Sequence, residues 1–104
     1  MSESVFKALA DSSRRQILKL LRKRSMTAGE IAEHFPLAKS TLSGHFSVLK
    51  AANLIQEERH GTSIIYSLNL SVVEETLTAV IDLLGRGRQY ETGEGGNSSE
   101  GKMA

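Results

Sequence analysis

The 104-residue sequence contains no cysteine and a single proline. Without cysteine the chain can form no disulfide, no thiolate metal site and no thiol redox switch. Long apolar runs are also lacking, since no stretch approaches the roughly 18 residues of a membrane span. The N-terminus has no signal-peptide pattern. These absences predict a cytoplasmic protein without direct membrane insertion, and the length favours one domain.

Net charge is also small, at +1, and taken alone this value argues against a nucleic-acid-binding protein. The charges are unevenly distributed, however. Residues 1–53 carry nine Lys and Arg against four Asp and Glu, whereas residues 54–104 carry four against eight. The basic half indicates where an anionic partner would bind.

Residues 27–53 predict two helices joined by a sharp turn. In the first helix, residues 27–35, Thr27 can cap the N-terminus while Glu30 reaches back to the amide of the cap residue. Pro36 disfavours helical backbone at the residue before it, and residues 36–39 leave room only for a turn. This is the pattern of a helix-turn-helix.

The second helix, residues 39–53, has two unlike faces. One is an apolar stripe of Leu42, Phe46 and Leu49. The other carries small groups flanked by two lysines: Ser40, Thr41, Ser43, Gly44 and Ser47, with Lys39 and Lys50 beside them. An ordinary solvated face would carry long Glu and Lys side chains, yet residues 36–56 contain no acidic residue. The small polar face suits close approach to DNA, although a helix pair that only packs in a bundle is the alternative.

Two further helices are predicted before the helix-turn-helix. Residues 3–10 predict one, with Val5, Phe6 and Leu9 on one side. Residues 14–23 predict another, with caps offered by Asp11, Ser12 and Ser13 and a core-facing set of Ile17, Leu18, Leu20 and Leu21. The cations at its C-terminus complement the helix dipole, and phosphate contact is a second explanation for Arg22, Lys23 and Arg24.

Two strands and a last helix follow. Asn53 predicts a left-handed helix cap. Residues 54–59 and 63–69 predict a β-hairpin, in which Gly61 supplies positive φ and the tip projects Arg59, His60 and Thr62. Ser71 and Glu74 predict a second capping box, which starts a helix over residues 72–84 that Gly85 ends. Residues 86–104 contain five glycines and no apolar period, and they predict a disordered tail after a domain of residues 1–85.

A hairpin directly after a helix-turn-helix predicts a mainly α fold with a β-hairpin wing, the winged helix-turn-helix, in the order ααααββα. Four blocks within residues 5–84 resemble the ArsR-type family of winged-helix transcriptional repressors: FKALADSSRRQILKLL, MTAGEIAEHF, STLSGHFSVLKAANLI and EERHGTSIIYSLN. The second block also resembles the SdpR-like members of this family, which are metal-independent autorepressors.

This resemblance implies a homodimeric, sequence-specific repressor that binds double-stranded DNA at a palindromic operator. The residues expected to bind DNA are Lys39, Ser40, Thr41, Ser43, Gly44, His45, Ser47, Lys50, Arg59, His60 and Thr62. The expected dimer interface joins the first and last helices through Val5, Phe6, Leu9, Val73, Leu77, Val80, Ile81 and Leu84.

Departures from the family pattern bear on regulation. Metal-sensing members have a Cys-x-Cys pair where this chain has Thr27 and Gly29. A second family site uses Asp and His on the last helix, which here has no His and offers only Glu74, Glu75 and Asp82. We therefore expect no metal and no cofactor. Regulation would then come from protein level, a sequestering protein partner or an unidentified ligand.

The histidines and two helix positions leave alternatives open. His34 favours a stabilising role at a helix C-terminus, whereas His45 would either contact DNA or pack against the preceding helix. His60 favours phosphate contact or is a solvated turn residue, and the spacing of the three does not suit zinc. Ala38 stands where the family usually has a Ser cap, at a cost of roughly 1 kcal/mol. Gly44 costs about 1 kcal/mol relative to Ala, and it reflects either close backbone approach or drift.

Catalysis finds no support in the sequence. Ser40 or Ser43 could be imagined as a nucleophile with His45 as its base, but Ser43 and His45 lie on adjacent helix faces that do not aim them at each other. No third group that would orient the base is evident, and no glycine-rich phosphate loop is present. We therefore expect that the protein is not an enzyme. The main alternative to a DNA-binding regulator is a winged-helix module that binds protein, and the second is a small-molecule or metal-responsive, enzyme-like binder.

Overall fold

The computed structural model describes residues 3–85, in which short strands are interspersed among the helices. In chain order the elements are α1 (Glu3–Leu9), α2 (Ser12–Lys23), β1 (Met26–Thr27), α3 (Ala28–Ala32), α4 (Lys39–Ala51), β2 (Ile55–His60), β3 (Ser63–Leu68) and α5 (Leu70–Leu83). This is the predicted winged helix-turn-helix with one additional strand. Residues 86–104, predicted as a tail, lie outside the described residues. The described chain divides after Glu74 into two compact units, and none of its helices is long and apolar enough to cross a membrane.

The first unit, which ends at Glu74, contains a hydrophobic core to which α2, α3 and α4 contribute. Ile17 of α2, Ile31 of α3 and Leu49 of α4 are completely buried. The predicted apolar stripe of α4 is confirmed, since Leu42 and Phe46 are also buried there. The Phe46 ring stacks on Tyr66 of β3, with 4.4 Å between ring centroids. Because one face of α4 is held by the core and the sheet, its opposite face is left toward solvent.

The sheet has three antiparallel strands in the order β1-β3-β2. In the hairpin, His60 pairs with Ser63, so the loop consists of Gly61 and Thr62 alone. The prediction that His60 belongs to the loop is therefore wrong. Gly61 has φ +63° as predicted, and positive φ at the first loop position is the requirement of a type II′ turn.

Strand β1 was not predicted, because its two residues were assigned to a helical block. They pair with the free edge of β3, where Met26 lies opposite Tyr66 and Thr27 opposite Ile65. Two residues are too few to show the alternation that marks a strand. The pairing comes from long-range contact with β3, which anchors the start of α3 to the wing.

Several helix boundaries differ from the predictions by one to three residues, and three of them matter here. Helix α3 ends at Ala32, not at residue 35, because the chain tightens into turns in which the amide of Phe35 donates to the carbonyl of Ala32 just before the proline. Helix α2 begins at Ser12, and Asp11 alone caps it. Helix α5 begins at Leu70, so the predicted capping box of Ser71 and Glu74 is wrong and Ser71 lies inside the first turn.

Candidate nucleic-acid interface

The helix-turn-helix begins with the predicted capping box. The Thr27 Oγ1 atom accepts a hydrogen bond from the Glu30 amide at 3.0 Å, and Glu30 Oε1 accepts one from the Thr27 amide at 2.8 Å. The bond from the Thr27 amide lowers the pKa of the Glu30 carboxyl. Asn53 at the other end of the unit has φ +59°, the left-handed cap conformation that was predicted. Local hydrogen bonds thus define both ends of the helix-turn-helix.

The outward face of α4 carries the small polar residues predicted to meet DNA. The exposed members are Lys39, Ser40, Thr41, Ser43, Gly44 and Ser47. A Cβ atom added at Gly44 would meet nothing within 4 Å, so packing within the chain does not require a glycine there. Ala38 caps α4 without any side-chain hydrogen bond. Short side chains, a glycine and an uncapped N-terminus leave the backbone of this helix accessible to a large partner.

The His45 side chain is directed away from this outward face of α4. Its side chain is 13% exposed, and its Nε2 atom is 3.9 Å from Asp11 Oδ1. The Nδ1 atom is 3.1 Å from Nη1 of Arg14. The ring is directed toward the start of α2, and contact of His45 with DNA stays a prediction. Its polar partners are Arg14 of α2 and Asp11, the cap of α2, and neither belongs to α3, the preceding helix named in the alternative.

Lys50 is also engaged within the chain. Its Nζ atom donates to Glu57 Oε1 at 2.8 Å and links the end of α4 to β2. This hydrogen bond raises the pKa of the Lys50 ammonium and lowers the pKa of the Glu57 carboxyl. Burial raises the pKa of the neighbouring Tyr66 hydroxyl. The phosphate contact predicted for Lys50 would compete with this ion pair.

The wing tip presents Arg59, His60 and Thr62 to solvent, as expected from the hairpin. His60 Nε2 lies 3.3 Å from Glu58 Oε1, and both side chains are more than half exposed. Within residues 3–85 no ion pair of Arg59 is found. The tip is therefore less basic than its Arg and His suggest, since Glu57 and Glu58 lie on the same strand.

Sequence reasoning missed the role of Arg14. Its side chain donates to carbonyls at the end of α1 and reaches His45 of α4. A signal was available, because Arg14 stands in the first turn of α2, where the helix dipole disfavours a cation. A cation at such a position indicates a specific partner elsewhere in the fold.

The residues predicted for a dimer interface differ in exposure. Phe6 of α1 is 50% exposed, and Leu77 and Ile81 of α5 are 60% and 39% exposed. Val5, also predicted for the interface, is buried in the core of the first compact unit. Leu84 is also exposed, and the remaining positions are half-buried: Leu9, Val73 and Val80.

Thr27 and Gly29, which the sequence resemblance aligned with a Cys-x-Cys pair, lie at the start of α3. Thr27 serves the capping box, and Gly29 has no side chain. Among residues 3–85 no three His, Cys, Asp or Glu side chains come together in a group that could hold a metal ion.

Comparison with known proteins places this architecture in a family. The model of the family described as "Bacterial regulatory protein, arsR family" matches residues 11–57. Over 84 residues the chain is 43% identical to the transcriptional repressor SdpR of Bacillus subtilis, covering 81% of this chain and 93% of that protein. It is 32% identical to the arsenical resistance operon repressor of Staphylococcus aureus, covering 71% of each.

A solved structure agrees with these sequence matches. The crystal structure of a possible transcriptional regulator for arsenical resistance superposes with a TM-score of 0.70 at 27% identity, over 81% of this chain and 85% of that one. The exposed face of α4 and the hairpin beside it are thus parts of a known type of regulator. The chain belongs to the ArsR family of bacterial regulatory proteins and is a DNA-binding transcriptional regulator.

Proposed function

We propose that the chain acts as a homodimeric repressor or autorepressor that inserts α4 into the major groove of a palindromic operator. The observation that carries the proposal is the outward face of α4, which combines small polar side chains with a glycine that internal packing does not require. A helix that must approach base edges closely needs such a surface. Two copies related by a two-fold axis would present two such helices to two half-sites.

Each element has a separate role in this proposal. Ser40, Thr41, Ser43 and Ser47 lie near base edges, the backbone at Gly44 approaches the DNA, and Lys39 binds a phosphate. Arg59, His60 and Thr62 of the wing bind the flanking backbone or minor groove. Lys50 and His45 take supporting roles, since their polar atoms already have partners in the fold.

The dimer would be formed by apolar side chains of α1 and α5. Phe6, Leu77 and Ile81 are large and at least 39% exposed, and burying each would contribute on the order of 1–3 kcal/mol. The charged positions on α5 are too few to explain this surface as an ordinary solvated helix. The dimer would act in the cytoplasm without an enzymatic activity, a metal or a cofactor, and a sequestering protein partner is one route by which it could be released from DNA.

Two substitutions in α4 test DNA reading. Thr41→Ala should weaken operator binding by roughly 1–3 kcal/mol and hardly change binding to random duplex, because a base contact is lost. Lys39→Ala should weaken both and flatten the salt dependence, because each lost phosphate contact removes about 0.9 from the slope of log affinity against log salt. In a dimer the substitution occurs twice, so the slope of log affinity against log salt should change by about twice this amount.

Fluorescence anisotropy with labelled operator and random duplexes would measure both effects over a range of salt. The Arg59→Ala variant should behave like Lys39→Ala unless the wing enters an A·T-rich minor groove. If all three variants bound operator and random duplex as the wild type does, α4 and the wing would not read DNA. A winged-helix module that binds protein would then be the better description.

A further inference from the structure

We propose that His45 is a positioning residue for DNA binding, held by Arg14 so that α4 is fixed in rotation against the junction of α1 and α2. The inference rests on the proposed use of α4 as the recognition helix. It assigns His45 a function through the orientation of its helix, and not through contact with DNA.

The first observation is the set of bonds made by the Arg14 guanidinium. Its Nε atom donates to the Ala8 carbonyl at 2.9 Å, and its Nη2 atom donates to the Lys7 carbonyl at 2.7 Å. Its Nη1 atom lies 3.1 Å from Nδ1 of His45. The planar guanidinium offers five donors in fixed directions. One side chain therefore joins the C-terminal end of α1, the first turn of α2 and the middle of α4.

The second observation concerns the proton on His45. Arginine has no acceptor and keeps its proton in proteins, so Nδ1 of His45 must accept the bond from Arg14. The ring proton then lies on Nε2, which faces Asp11 Oδ1 at 3.9 Å. The observed arrangement thus requires a neutral His45, because a proton on Nδ1 would remove the bond and place two cations together.

Asp11 has a fixed place in this cluster. Its Oδ1 atom accepts from the amides of Ser13 at 2.8 Å and Arg14 at 3.2 Å, as the cap of α2. The bond from the Arg14 amide, together with the bond from Ser13, lowers the pKa of the Asp11 carboxyl. Helix α1 contacts the cluster through the carbonyl oxygens of Lys7 and Ala8. Lys7 itself is exposed. Arg14 and Asp11 are therefore the charges that face the His45 ring.

The third observation is what otherwise holds α4. Apart from the hydrogen bond from Lys50 to Glu57 at its C-terminal end, α4 is held by the apolar side chains Leu42, Phe46 and Leu49, and apolar burial is not directional. A hydrogen bond depends strongly on angle. The Arg14 bond, made beside Gly44 and one turn from Thr41, would therefore help to define which side chains the middle of α4 turns outward.

Two substitutions at His45 separate positioning from packing. His45→Asn keeps an acceptor near the place of Nδ1, whereas His45→Leu keeps volume but has no acceptor. We expect His45→Leu to lose operator affinity by roughly tenfold with an unchanged salt slope, and His45→Asn to remain within about threefold of the wild type. Thermal unfolding of both variants would show whether each retains the fold. An operator affinity of His45→Leu equal to that of the wild type would overturn the proposal, and so would a salt slope reduced equally in both variants, which indicates direct phosphate contact.

A substitution of the partner residue keeps the test decisive if His45→Leu fails to fold. Arg14→Lys keeps the positive charge but loses the planar guanidinium that joins Nδ1 of His45 to the carbonyls of Lys7 and Ala8. Arg14→Lys should therefore lose operator affinity roughly tenfold with an unchanged salt slope. The variant His34→Asn, altered at an exposed histidine outside the interface, should bind the operator as the wild type does.

Wild-type operator affinity in Arg14→Lys would contradict the positioning role. This outcome is distinguishable from failure of the proposed function. If Thr41→Ala weakens operator binding while the His45 variants behave as the wild type, α4 still reads DNA and only the positioning role is wrong.

Discussion

At the scale of single residues, a substitution at Gly44 should change the stability of the fold and the affinity for DNA in opposite directions. Because a Cβ there would meet no atom within 4 Å, Gly44→Ala should stabilise the fold by about 0.5–1 kcal/mol, through the smaller entropy loss of alanine in a helix. If the backbone at Gly44 approaches the groove, the same change should weaken operator binding roughly tenfold. Thermal unfolding and anisotropy measure the two effects.

Gly29→Ala is the matched control, because a Cβ at Gly29 would meet only Thr27 Oγ1, at 3.9 Å. It should leave operator affinity unchanged. If Gly44→Ala also bound the operator with wild-type affinity, the glycine would not serve close approach to DNA.

The residue scale is also where sequence reasoning was least complete. The spacing of Leu42, Phe46 and Leu49 predicted correctly which face of α4 is buried, since that face follows from helical period alone. The partners of His45 and Lys50 could not be predicted in this way. Arg14 is 31 positions from His45, and Glu57 lies on a strand whose register depends on the whole wing. Such pairs come from tertiary packing, which periodicity does not specify.

At the scale of elements, predictions succeeded where the signal was local. The capping box of Thr27 and Glu30 and the positive φ of Asn53 and Gly61 depend on neighbouring residues, and all are present. Strand β1 depends on an edge of β3 about 40 positions away, and it was missed. The start of α5 was misplaced because a sequence with capping potential at Ser71 does not exclude an earlier start.

The positions that the family resemblance assigns to metal ligands, at the start of α3 and in α5, offer no Cys or His in this chain. We therefore expect operator affinity to be insensitive to zinc, chelator and peroxide. Gel-shift titrations with each reagent would measure it. A change of tenfold or more, about 1.4 kcal/mol, would reveal a metal or oxidant site, and loss of that change in His34→Ala or His60→Ala would locate it.

At the scale of the whole molecule, the proposed interface explains why large apolar side chains are exposed on α1 and α5. Replacing Leu77 and Ile81 together by Glu should give monomers that have lost operator binding, because two charges would enter the apolar contact. Sedimentation at micromolar concentration would measure the mass. Thr78→Glu is the matched control, since Thr78 is an exposed neighbour on the same helix outside the apolar stripe. A dimer of unchanged mass in the Leu77 and Ile81 variant would exclude this interface.

Selection of bound fragments from random DNA duplexes tests the central claim, that a dimer reads DNA through two copies of α4. The account predicts enrichment of one palindromic consensus, whose half-sites are centred about 10–10.5 base pairs apart or a multiple of that spacing. It also predicts that Thr41→Ala relaxes the consensus at matching positions of both half-sites. Recovery of fragments without a consensus, or of a single half-site with no symmetric partner, would contradict it.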